Sequence, residues 1–227
     1  MPEPTSNNLS FYVRYQFWIL LILAGLLRSF PIISIPFNWL ESYFHEISHG
    51  LAALLSGGKI IRIQLFLDGA GLCTSQGGNR FITSFMGYTG AAVWGAIIYQ
   101  LARQHLMFAR GVCVTILLLL LTSCILWTQD LLTLFILIIL ILIFSLKLKL
   151  ADNGVLQKII QLVGLTVLLN ALMSPFYLID GRALGDGAAL SELTLIPEII
   201  WVAIWFSIGF GLLILLAKTN NRRRMNP

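Results

Sequence analysis

Seven apolar stretches divide the chain, with polar and charged residues collected between them. A spanning helix needs roughly 20 mostly apolar residues. The pattern predicts segments over residues 16–36, 37–56, 82–102, 106–128, 130–147, 155–179 and 195–217. They are long and continuous, unlike the alternating strands of a membrane barrel. The fold class they predict is an all-α polytopic integral membrane protein with about six to seven transmembrane or re-entrant helices. Leu131 to Phe144 is apolar on every face, as expected of a lipid-facing structural helix. Residues 57–78 break the helical rhythm. Lys59 to Leu67 alternates in part like a strand, and Asp68-Gly69 or Ala70-Gly71 supplies a turn. This predicts a short β-hairpin at the membrane interface or against a polar cavity, because irregular strands cannot face lipid.

Composition removes the soluble alternatives. Hydrophobic residues make up 58% of the 227 residues and charged residues 11%. Soluble domains carry about 25% charged residues. The net charge of +5 lies between and just outside the apolar spans, so it orients the chain in a bilayer and does not indicate nucleic acid. Residues 1–217 read as one membrane-embedded domain and 218–227 as a basic cytoplasmic tail. Lys218 and Arg222 to Arg224 put the C-terminus on the cytoplasmic side, and Arg14 puts the N-terminus there too. Two inside termini need an even number of crossings. One segment is therefore not a full span, and the first two, interrupted by Arg28, Pro31 and Pro36, are the suspects. Leu27 to Pro31 makes a poor cleavage site, so the first segment reads as an uncleaved anchor. Cys73, Cys113 and Cys124 have no paired spacing and suggest neither a disulfide framework nor a cysteine metal site. The six tryptophans lie mostly near segment ends, as interfacial anchors do.

The second segment contains His45-Glu46-Ile47-Ser48-His49. Positions i and i+4 of a helix share a face, so the two imidazoles can hold one zinc ion. Glu46 sits beside the open coordination position and can take a proton from a water there. Two histidines and a glutamate are costly inside an apolar segment, which makes them functional candidates. A catalytic zinc site needs a third protein ligand. His105, in a turn between Arg103 and Arg110, reads as a solvated loop histidine. The candidates are the carboxylates of Asp180 and Asp186, in the loop before the last span. Asp130 is expected to cap the following helix. Arg28 is expected to pair with a carboxylate or to snorkel.

These residues resemble the site-2-protease class of membrane zinc metallopeptidases, and more closely its small bacterial B-like branch. Besides His45 to His49, the similar blocks are Leu51 to Lys59, Asp68 to Thr74, Gly87 to Gly95 and Gly185 to Trp201. The likeness covers about residues 38–205. It implies Asp186 as the third zinc ligand, with Asp180, in the Asp-Gly step after Pro175, as runner-up. The wider class has an asparagine that helps hold substrate. Asn170 lies in that region at a different spacing and reads instead as a helix-bonding amide.

The resemblance implies a zinc-dependent endopeptidase that cleaves a peptide bond in or near a transmembrane segment. A zinc-activated water would attack, with Glu46 as general base. The partners implied are the lipid bilayer and a membrane or juxtamembrane peptide, with no nucleic acid, in the cytoplasmic membrane of a bacterium. A free strand edge on the hairpin would suit such a peptide by strand addition. Two other functions use the same residues: a non-catalytic protein that binds partners through its metal site, and a small metal transporter. A transport path has no need of Glu46 beside His45.

Overall fold

The computed structural model describes residues 6–225 apart from 180 and 183. Eight α-helices and one two-stranded sheet follow in the order α1 (Ser6–Arg28), α2 (Pro31–Leu55), β1 (Lys59–Leu65), β2 (Gly71–Gln76), α3 (Arg80–Gln104), α4 (Leu106–Leu126), α5 (Leu131–Leu150), α6 (Asn153–Met173), α7 (Asp186–Thr194) and α8 (Glu198–Met225). A 3-10 turn over Ser174–Leu178 extends α6. The all-α polytopic architecture expected from the sequence is the one observed. Five helices are long and apolar enough to cross a membrane, and the bent pair α1–α2 supplies up to a sixth.

The first two segments form that bent pair, but not with the expected boundary. The chain turns by 106° at Ser29-Phe30, not after Pro36. Pro31 occupies the first turn of α2, where its missing N–H leaves no helical hydrogen bond unmade. Pro36 lies inside α2, and the helix runs on through it.

The tightest packing joins α3 to α6. A Cβ on Gly95 would lie 2.5 Å from the Leu168 backbone nitrogen, and one on Gly164 would lie 2.5 Å from that of Tyr99. Only hydrogen at both positions lets the two backbones meet, the small-residue crossing that replaces hydrophobic driving force inside a bilayer. By contrast, only 28% of the apolar window of α5 is buried, so most of that helix meets lipid, as its uniform apolarity implies. Asp130 caps α5 by accepting from the Thr133 N–H at 2.8 Å.

The hairpin pairs Ile63 with Cys73 and Leu65 with Gly71 in antiparallel register, with a bulge between Ile60 and Arg62. Gly69 makes its turn at φ +87°, a value an L side chain disfavours. The outer edge of β1 is occupied by the α4–α5 connection and the first turn of α5. Ile63 N–H donates to the Trp127 carbonyl at 2.9 Å and Leu65 N–H to Thr133 Oγ1 at 2.9 Å. Among the described residues no strand pairs with the other edge, that of β2.

The α3–α6 crossing should be the least forgiving contact in the bundle. Gly95→Leu is expected to cost about 1–3 kcal/mol or more by overpacking. Gly111→Ala, where an added Cβ meets nothing within 4 Å, should stabilise by up to about 1 kcal/mol through helix propensity. Thermal unfolding in detergent micelles measures both.

Candidate metal centre

The inward face of α2 carries a row of polar groups that water barely reaches. Glu46 is 5% exposed and His49 6%. One helical turn separates His45 from His49, and their Nε2 atoms lie 2.9 Å apart. Asp186, the first residue of α7, completes the group: its Oδ2 lies 3.1 Å from each Nε2. One ligand atom from each residue falls within 4.8 Å of the others. Ligands about 2.0–2.1 Å from a tetrahedral ion stand about 3.3 Å apart. Two imidazole nitrogens and a carboxylate oxygen at these separations fit such an ion.

Each of these groups is held by a neighbour. The His49 Nδ1–H donates to the Thr83 carbonyl at 2.6 Å, which leaves the Nε2 lone pair facing Asp186. The Tyr88 ring stands edge-on to His45 at 4.3 Å between centroids. Gly87 is the reason α3 can come so close. A Cβ there would collide with the Nε2 atoms of both histidines. Gly71 does the same for the hairpin, where a Cβ would stand 2.7 Å from Glu46 Oε1. The Cys73 backbone N–H hydrogen-bonds the Glu46 carboxylate.

Asp186 reaches the histidines because α7 is anchored on three sides. Leu190 packs with Trp201 and Trp205 of α8 against Phe85 and Tyr88 of α3. Gly187 lies directly against Glu198, and Arg80 pairs with Glu192 at 2.6 Å. Burial alone would raise the Asp186 carboxyl, but the His49 and His45 imidazoles override it and hold it well below the usual carboxylate range. The Cys73 thiol, pushed up to about 12 by burial and by Glu46, is no thiolate donor at neutral pH.

A cavity of about 670 Å³ opens over the centre. The hairpin turn, Cys73, Asn38, Glu41, Asn170 and Ser174 are among the residues that line it. Asn170 does bond helices together, through Nδ2 to Asn38 Oδ1 at 2.9 Å, and it also lines the cavity with an Oδ1 that has no hydrogen-bond partner among the described residues. Asp180 lies outside the described residues. His105 is far from the centre in role: its Nδ1 accepts from the Met107 N–H and caps α4.

Two expectations need correction. Among the described residues Arg28 makes no ion pair, and its guanidinium turns into the bundle instead of snorkelling. It lines the cavity and donates to the Leu169 carbonyl at 2.7 Å, near the C-terminal and therefore electronegative end of α6. Trp39, Trp201 and Trp205 are buried in the bundle and are not interfacial anchors. Trp205 donates its indole N–H to the Phe85 carbonyl at 3.0 Å. Sequence reasoning also missed Glu41 and the Thr83 carbonyl. Glu41 had a signal, being an acidic residue one turn before His45. The Thr83 carbonyl had none, since every residue carries one.

A His–His–Asp donor set with a buried glutamate beside it, in a multi-pass membrane protein, has the arrangement of a membrane metallopeptidase. Residues 17–216 match the family described as Peptidase M50B-like, and the chain belongs to that family. No curated protein and no solved structure matches it.

The ligand assignment can be checked directly. Metal analysis of purified variants should find the bound metal lost in Asp186→Ala and retained in Asp180→Ala. Loss in the second variant alone would move the third ligand to Asp180.

Proposed function

We propose that this protein is a zinc-dependent endopeptidase that hydrolyses a peptide bond in or next to a transmembrane segment of another membrane protein. The observation that carries this reading is the position of Glu46, on the same helical turn as the His–His–Asp cluster and in the wall of the same cavity. His45, His49 and Asp186 would hold the metal. A zinc ion bound there would supply Lewis acidity, lowering the pKa of a water and polarising the peptide carbonyl. Glu46 takes a proton from the attacking water and delivers it to the leaving amine nitrogen. The Cys73 N–H keeps the carboxylate turned toward the cavity while it does so.

The hairpin supports a peptide as the substrate. Ile63 and Leu65 direct their N–H groups away from β2. Their register partners, Cys73 and Gly71, therefore direct theirs away from β1: the Cys73 N–H is taken by the Glu46 carboxylate, and among the described residues the Gly71 N–H lies on the unpaired edge. That edge runs past Glu46. An extended peptide added to it would lie across the metal centre, with its carbonyls within reach. Hydrolysis needs an unwound chain, and strand addition stabilises one.

The charges of Lys218 and Arg222 to Arg224 orient the C-terminus toward the cytoplasm of a bacterial cell. A phosphatase fusion at that end should be inactive and a cytosolic reporter fusion active.

Glu46→Gln should keep its zinc and lose cleavage by about 10²–10⁴-fold, the usual contribution of a general base. Fragment formation from co-expressed single-span membrane proteins, read with zinc content, measures both. A Glu46→Gln protein that still performs its cellular role, while His45→Ala does not, would instead make the metal site a binding device.

A further inference from the structure

We propose that Glu41 is a positioning residue for the metal centre: its carboxylate accepts the Nδ1–H of His45 through one water of the cavity. The proposal rests on the assignment of His45 as a metal ligand. Glu41 precedes His45 by one helical turn, and helical side chains lean toward the N-terminus, so His45 leans over the site that Glu41 occupies. Both residues line the same cavity. Glu41 is 7% exposed, on the polar inward face of α2. The charge-bearing groups facing it are His45, Glu46 and Arg28.

The hydrogen bonding leaves both groups open. His45 directs Nε2 toward His49 and Asp186, and among the described residues nothing accepts from its Nδ1. The hydrogen bond to Glu41 comes from Ser174 Oγ at 3.2 Å. That hydroxyl has one proton and lies closer, at 2.8 Å, to the Asn170 carbonyl. The Glu41 carboxylate is thus short of a donor where the imidazole is short of an acceptor. A ligating histidine almost always gives its second N–H to a carboxylate, a carbonyl or a water. The Thr83 carbonyl serves His49 in that way, and Glu41 serves His45. As a carboxylate it also makes that imidazole the stronger electron donor.

The test is zinc affinity of the full-length protein in detergent, by competition with a chromophoric chelator, together with the visible spectrum of the cobalt-loaded form. Glu41→Leu should weaken zinc about 10–100-fold. Glu41→Gln keeps an acceptor without the charge and should weaken it about three- to tenfold, with a shifted cobalt spectrum. Ser174→Ala, which removes only the neighbouring hydroxyl, should bind zinc as the unmodified protein does. Unchanged affinity and spectrum in Glu41→Gln would overturn the proposal, even if Glu41→Leu fails to fold. Equal weakening by Ser174→Ala would overturn it too, because the effect would then come from the contact between α2 and the turn after α6. Zinc bound by the unmodified protein but unaffected by Glu41 changes refutes this role alone. An unmodified protein that binds no zinc refutes the metal centre with it.

Discussion

The backbone of α3 must approach two other helices more closely than side chains permit, and the bundle is arranged around that requirement. Near its N-terminal end, Gly87 and Gly90 leave room for the imidazoles and Ser48 of α2. Further along, Gly95 meets the backbone of α6 at Gly164. Between lipid tails, helices gain little from hiding apolar surface, so close van der Waals contact and interhelical hydrogen bonds hold them together. The same closeness brings the Thr83 carbonyl to His49 and the Tyr88 ring to His45. Packing and chemistry thus share one helix face.

Buried polar groups in a bilayer need partners, and here they come from separate elements. The hairpin gives Glu46 a backbone N–H, α3 gives His49 a carbonyl and α7 gives both histidines a carboxylate. An isolated α2 would carry two imidazoles and two carboxylates with none of these contacts, at a cost of several kcal/mol per group. The neighbours offset that cost only as an assembled set. This ties the hairpin and α7, neither of which crosses the membrane, to the stability of the spanning helices.

Local pattern made much of this legible in the sequence. The spacing of His45 and His49 follows from 3.6 residues per turn, the spans from their length, the turn from Asp68-Gly69 and the α5 cap from Asp130. What was not legible depends on tertiary approach. The bend at Ser29-Phe30 lies before Pro31, because a proline is better accommodated at the start of a helix than inside it. Trp39, Trp201 and Trp205 are chemically suited to the interface, and only packing puts them inside. The family resemblance singled out Asp186, whereas residue types alone left two aspartates in one loop. Arg28 meets a backbone carbonyl, a partner no side-chain inventory contains.

The distance along the chain between the donors has a consequence for biosynthesis. His45 and His49 leave the ribosome early, and Asp186 follows only after α3, α4, α5 and α6 have been made. During translation the nascent protein thus carries two imidazoles and a glutamate without their third donor. The full donor set appears once the bundle has been inserted and α7 has docked between α3 and α8. An order of assembly built into the sequence keeps the growing chain, and the translocation machinery around it, beside an incomplete centre until the fold is finished.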